Sequence, residues 1–498
     1  MVHRSLAPSR FSARSRARSR ARSRAHLRAR PGARQRARSS LLWGSILLIA
    51  ASGCGGAATG EAAWPDGARQ WYERADASYR HGDIEDAAEA SEQALRALPD
   101  EPKVRLLAAH VALARLELDR AVQLTQGMND SEARGVRARA HWYAGRVEQA
   151  AAELDALLAD PSVRDPWAQG VAKLARRGRG RRPFEIGGGL VAALDMPRIG
   201  NTTLLVPVEV NGEPSLAMIA TDTAETVVDT SAGGEGGWVS LRFAERIEVS
   251  DVPAIGKDLS GLSRQLNAPI KLLIGVQLLR QLHATVDFAA GQFVVRSFEP
   301  PPPPQATTVH PGYVRGGAMV LPASFSAESE GARASLLVHT TMAYPVALDE
   351  GGWEKAGVDV NGFSALPGQS GVKMGRLPML RLGAFEIPNV PGILGAPIHE
   401  VEKSLGVELD GFAGSGLVAT FRVTFADGGR TVWLEDLPPE VLEQEANARA
   451  RQAEERAAAR AEAEAAAAAE AAEAAGADRP SPTTAPAAQP AQATGDGR

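Results

Sequence analysis

One stretch of this 498-residue chain is written twice, about 138 residues apart. Ile247-Glu248-Val249-Ser250-Asp251-Val252-Pro253-Ala254-Ile255 returns as Phe385-Glu386-Ile387-Pro388-Asn389-Val390-Pro391-Gly392-Ile393. The surroundings repeat with it. Val206-Pro207-Val208 precedes the first copy and Leu321-Pro322-Ala323 the second. Leu273-Ile274-Gly275, followed by alternating Leu282, Ala284 and Val286, returns as Phe412-Ala413-Gly414 followed by Phe421, Val423 and Phe425. Apolar residues at every second position read as half-buried strands, so two similar β-rich lobes are expected. A site shared by such a pair falls at the seam between them.

In the first lobe, Val206 to Gly212 reads as a strand and turn and Pro214 to Ile219 as a second strand. Thr226-Val227-Val228, the Leu273-Ile274-Gly275 segment and a closing hairpin from Thr285 to Val295 follow. This order, met twice, resembles the retropepsin-like aspartic peptidases, single-lobe relatives of pepsin. The resemblance implies two all-β lobes, 185–299 and 313–437. It also implies a cleft that holds an extended peptide.

Catalysis in that family needs one carboxylate from each lobe, close enough to share a proton: one ionised to activate water, its neighbour kept neutral. The first hairpin of such a lobe leads into an Asp-Thr-Gly-Ala loop. A gapless count from Asn211-Gly212 to Thr226-Val227-Val228 puts Ala220 at the first aspartate position, followed by Thr221 and Asp222. In the second lobe Leu336-Leu337-Val338 leads to His339-Thr340-Thr341-Met342, which puts His339 at the other. Neither side chain can be half of a shared-proton pair. A slipped register reads Asp222-Thr223-Ala224 as the motif, deletes two residues from a tight loop, and leaves one carboxylate facing a histidine. Asp222 otherwise reads as a loop carboxylate accepting backbone N–H groups, and His339 as a hydrogen-bonded imidazole at the lobe interface. A direct Asp222–His339 pair across the seam is the sharper alternative. Asp229 and Asp349, just past the matching strands, read as caps.

Residues 61–174 carry a helical pattern. Trp71, Ala75, Tyr79, Gly82-Asp83, Ala87, Ala94 and Pro99 place small residues where two helices touch, glycine at the turn and proline at the exit. Ala121 falls 34 residues after Ala87, and Ala138, Trp142, Gly145-Arg146-Val147, Ala150 and Pro161 form a third copy. The spacing resembles tetratricopeptide repeats. That implies stacked helix pairs sharing one core and a concave groove for a protein or peptide. The middle copy lacks its turn glycine.

The ends differ from the middle. Thirteen arginines lie between Met1 and Arg38, followed by the apolar run Leu41 to Ala50, too short to span a bilayer as a stable helix. Ala51-Ser52-Gly53 then precede Cys54, the only cysteine. Positive region, apolar region and small residues read as a secretory signal over 1–53. The small residues before a lone cysteine resemble a bacterial lipobox, which makes Cys54 the lipidation site and the cell envelope the location, on the periplasmic side or at the outer membrane. Removing the thirteen arginines from a net charge of −4 leaves about −17, which gives no electrostatic reason to hold nucleic acid.

Between the modules, Arg176 to Pro183 reads as a solvated basic linker, and five prolines, Pro300 to Pro304, open a stiff spacer over 300–312. Residues 438–475 are rich in Ala, Glu and Arg and read as a solvated helix; 476–498 read as a disordered tail. Gly233-Gly234-Glu235-Gly236-Gly237 reads as a mobile loop. No metal spacing or cofactor motif occurs, and no cofactor is expected.

The expectation is therefore a multidomain α + β lipoprotein: TPR-like helical repeats, two retropepsin-like lobes, a charged helix and a loose tail. Its expected function is non-catalytic protein or peptide binding by the helical groove and the inter-lobe cleft, with a lipid anchor in the membrane. The alternative is an active aspartic endopeptidase using Asp222. A third reading makes the lobes a rigid spacer.

Overall fold

Small residues at helix contacts set the architecture of the first half. In a computed structural model, which describes residues 64–199, 202–326 and 332–436 and the helical positions Asn447 and Arg451, the chain is mixed α/β. Helices come first and strands follow. The leader, Cys54, and all but those two positions of the expected C-terminal helix and tail lie outside the described residues. No helix among the described residues is long and apolar enough to cross a membrane.

The helices are α1 (Asp66–Arg80), α2 (Ile84–Ala97), α3 (Pro102–Ala114), α4 (Leu118–Leu124), α5 (Ser131–Tyr143), α6 (Val147–Leu158) and α7 (Pro166–Arg177). Ala87, Ala121 and Ala150, one on each second helix of a pair, are wholly buried and let the partner helix approach. Side chains of Asp83, Asp130 and Asp165 accept the N–H three residues on, at 3.1, 2.8 and 3.1 Å, and so start α2, α5 and α7. Each tight turn needs one left-handed residue, supplied by Gly82 (φ 69°) and Gly145 (φ 72°). In the middle copy Leu116 takes that conformation (φ 58°), which is how the turn forms without its glycine.

The duplicated stretch is duplicated in backbone too. Ile247–Lys257 and Phe385–Leu394 are the second strands of two long hairpins, and Asp251 (φ 52°) and Asn389 (φ 55°) are left-handed at the same place in each. In both copies the strand runs parallel to a short strand at a lobe's heart, Thr226–Asp229 and Val346–Leu348. One seven-stranded sheet is formed from residues 185–274 and one eight-stranded sheet from 312–414.

A third sheet draws strands from both expected lobes. Val191–Asp195, Thr285–Asp287 and Gln292–Arg296 join Thr307–Val309, Phe421–Ala426 and Thr431–Asp436 in one six-stranded sheet. The lobes meet in it where Thr285 pairs with Thr424 and Val286 with Val423. The Thr285 and Thr424 hydroxyls lie 2.9 Å apart. Thr307–Val309, a β-branched run, lies inside the stretch expected to be linker and pairs with Thr431–Asp436. The prolines end before it, so its N–H groups are free to join a ladder.

The basic junction is likewise no free linker. Arg176 and Arg177 close α7, Gly180 N–H donates to Glu148 at 2.8 Å, and Arg181 pairs with Asp251. Gly178 lies flat under Trp238, where a Cβ would collide with the indole. Asp349 caps the helix Glu350–Lys355 by accepting Gly352 N–H at 2.7 Å, and Asp229 accepts from Ser231 N–H, Leu259 N–H and Lys271.

Candidate functional site

The strands Glu213–Ile219 and Arg333–His339 bring two loops together at the seam. Each strand lies parallel to a partner, Ile219 beside Ile274 and His339 beside Gly414. At the loop entrances Thr221 and Thr340 exchange hydrogen bonds reciprocally. Thr221 N–H donates to Thr340 Oγ1 at 3.0 Å and Thr340 N–H to Thr221 Oγ1 at 3.3 Å. The Thr221 hydroxyl donates to Val338 O at 2.8 Å and the Thr340 hydroxyl to Ile219 O at 2.9 Å. Equal partners on equal atoms mean an approximate twofold axis between the two hydroxyls. Both threonines are buried, and both carbonyls are satisfied across the seam.

This exchange shows where the candidate residues stand. Ala220, immediately before Thr221, is wholly buried. His339, immediately before Thr340, is half-buried with its ring centroid 5.1 Å from that of Phe412. Asp222, immediately after Thr221, is exposed. Its symmetry counterpart is Thr341. Asp222 and His339 do not pair directly; Thr341 joins them. The Thr341 hydroxyl lies 2.8 Å from His339 Nδ1 and 3.4 Å from Asp222 Oδ1. One hydroxyl has one proton to give. If Thr341 donates to Asp222, His339 Nδ1 must carry the proton it donates to Thr341, leaving Nε2 of a neutral ring as an acceptor. The side-chain partner described for Asp222 is thus a hydroxyl, in place of the backbone N–H groups expected from a turn aspartate.

Beneath the threonines, toward the six-stranded sheet, lies an apolar cavity of about 40 Å³ lined among others by Ile219, Val338, Val286 and Val423. Farther along that sheet Asp287 is buried, and Arg422 donates to it at 2.6 Å.

The other side of the first loop is closed by the helices. Glu225, three residues past Asp222, is buried and accepts from Trp167 Nε1 at 2.6 Å and Tyr143 Oη at 3.2 Å. Burial pushes the Glu225 carboxyl up, opposed by these two donors. Arg139 stacks over Trp167 at 4.2 Å from the ring centroid and donates to Asp165 at 2.7 Å. Ala224 packs in one apolar cluster with Leu113, Tyr143 and Val171.

Part of the helical surface expected to dock a partner is taken by the chain itself. The turn Arg315–Gly317, between strands Gly312–Val314 and Ala318–Ser324, enters against α3 and α5. Gly316 (φ 76°) leaves no room for a side chain, since a Cβ would come 2.7 Å from the Tyr143 ring and 3.1 Å from Leu113. Beside the turn lies a recess of about 220 Å³ between His110, Glu132, Arg139, Asp165 and Arg315. Elsewhere Glu235, in the glycine-rich loop, lies 3.5 Å from Arg177, and Gly236 lies flat on the Ala254–Gly256 backbone. No group of three or more His, Cys, Asp or Glu able to hold a metal occurs among the described residues.

No protein-family model and no curated protein matches this chain. Among solved structures it is similar to the Arabidopsis OM64 TPR domain, at 19% identity over 22% of this chain and 95% of that one, with a TM-score of 0.21. It is similar to a retropepsin-like aspartic protease from Rickettsia conorii at 17% identity, over 26% of this chain and 88% of that one, with a TM-score of 0.19. Basic 7S globulin from soybean is similar at 8% identity, over 51% of this chain and 95% of that one, with a TM-score of 0.34.

Proposed function

We propose that the chain is an envelope lipoprotein, anchored through Cys54, whose two retropepsin-like lobes grip extended peptide without cutting it. One observation supports the reading: Thr221 and Thr340 exchange hydrogen bonds reciprocally, and Ala220 and His339, which the sequence count assigns to the family's two aspartate positions, each stand one residue before them. A methyl group and an imidazole cannot hold the shared proton that keeps one carboxyl neutral beside its ionised partner. Asp222 supplies a single exposed carboxylate, and its hydroxyl partner Thr341 is no second acid.

The tetratricopeptide-like helices act first within the chain in this reading, bracing the first loop through Glu225 and holding the Arg315–Gly317 turn. A protein partner is left the recess beside Arg139 and Arg315, and peptide the inter-lobe cleft. Support for the anchor comes from Ala51-Ser52-Gly53-Cys54.

Fluorescence anisotropy with a random peptide pool, followed by mass spectrometry of the same samples, tests the module. Saturable binding with intact peptides supports it; binding with cleavage, or none at all, contradicts it. For the anchor, Cys54→Ala is expected to release the protein from washed membranes into the soluble fraction.

A further inference from the structure

Five segments far apart in sequence line an open recess of about 370 Å³: the turn between α3 and α4, the turn after α5, the Pro183-Phe184 junction, the end of the helix bearing Arg280, and the turn Asp427–Arg430. Arg280, on the helix Val276–Gln281, lines it and is 3% exposed. Its stem is pinned under Gly429, where a Cβ would come 2.8 Å from Arg280 Cβ and Cδ. Its guanidinium lies 5.9 Å from the centre of the Tyr143 ring and has few hydrogen-bond partners. Nη2 reaches Tyr143 O at 3.4 Å, and Nε has no hydrogen-bond partner among the described residues.

A buried cation normally has a carboxylate beside it, because a charge taken out of water without a partner is strongly disfavoured. The charged and titratable groups facing Arg280 are Tyr143, Tyr313, Asp427 and Arg430. Burial pushes both phenols up, so neither is an anion at neutral pH. The Tyr313 hydroxyl is spent on Gly429 O at 2.6 Å. Asp427 is held by Arg430 Nη2 at 2.5 Å. The guanidinium thus stands without its own counter-charge at the wall of a recess of small-molecule size.

We infer that this recess is an oxyanion site in which the carboxylate or phosphate of a small molecule meets Arg280, with Arg430 on the exposed rim. The inference is independent of how the seam between the lobes is read.

Thermal unfolding of the full chain in phosphate, acetate and chloride at equal ionic strength tests it, because a ligand bound only by the folded state raises Tm with concentration. Phosphate or acetate is expected to raise Tm beyond chloride, and whichever acts names the anion class. Arg280→Met is expected to erase the anion-dependent rise. Should that variant fail to fold, Ala144→Phe, at an exposed lining residue, obstructs the recess while leaving Arg280 in place. It is expected to weaken the anion's apparent affinity at least tenfold with an unchanged anion-free Tm. The inference is overturned if neither oxyanion exceeds chloride, or if the rise survives in Arg280→Met or at full affinity in Ala144→Phe.

Discussion

Thr221 and Thr340 each accept the other's backbone N–H, at 3.0 and 3.3 Å, and each hydroxyl donates to a carbonyl of the opposite loop. Two chain segments 119 residues apart are locked in register by four hydrogen bonds on two side chains. A valine in place of either threonine keeps the shape and strands a buried N–H and a buried carbonyl. Each of Thr221→Val and Thr340→Val is expected to cost about 1–3 kcal/mol in urea unfolding. Each variant removes a different two of the four bonds, and the hydroxyls share one further contact at 3.2 Å, so the double variant should cost close to the sum, less by that shared contact. A single variant without measurable cost would contradict the exchange.

Glu225 ties the first loop to the helices and sets a pH dependence. Burial raises its carboxyl in the folded state, so the folded chain keeps that proton to higher pH than the unfolded one. Its contribution is fully present below the unfolded carboxylate value of about 4.3 and is lost as pH rises from there through the raised folded value. Glu225→Gln should therefore gain Tm relative to the wild type as pH goes from 4 to 7. Parallel Tm curves for the two proteins would show that the carboxyl is not buried as described.

Gly316 tests the seating of the turn in the helical groove. Its left-handed backbone and the Tyr143 ring at 2.7 Å from a Cβ both oppose a side chain. Gly316→Ala is expected to destabilise by about 1–3 kcal/mol, and limited proteolysis should open the chain near 312–317. An unchanged digestion pattern would place the turn outside the groove.

Asp229 carries Lys271 at 2.7 Å and the N–H groups of Ser231 and Leu259. Burial raises its carboxyl, but these donors together outweigh that and hold it well below the usual carboxylate range. Its stabilising share is present above the unfolded value of about 3.9 and fades as pH falls toward the depressed one. Asp229→Ala should lower Tm at pH 7 and converge on the wild type in strong acid.

Much of this architecture could be read from residue patterns, because the patterns are local. The turn positions Gly82 and Gly145, the alanines at helix contacts, and the paired Asp251 and Asn389 all act on their own stretch of backbone. What escaped reading depends on meetings between distant segments. Glu225 sits in Ala224-Glu225-Thr226, a sequence that looks like any exposed turn; Tyr143, 82 residues earlier, buries it. Arg280 follows Leu278-Leu279 on a short helix and reads as a solvated end until Gly429 closes over it. The turn that packs on the helices left one signal, Gly312 and Gly316-Gly317, glycines where backbone must approach another surface closely. The strand Thr307–Val309 was hidden by the prolines before it, although its β-branched run was there to see.

The central claim is that the seam lacks a pair of acids. Peptide cleavage by the wild type and Asp222→Ala, followed by mass spectrometry from pH 3 to 7 with and without a statine-type inhibitor, addresses it most directly. The expected result is intact peptide from both proteins at every pH. Acid-favoured, inhibitor-sensitive cleavage by the wild type that disappears in Asp222→Ala would contradict the account.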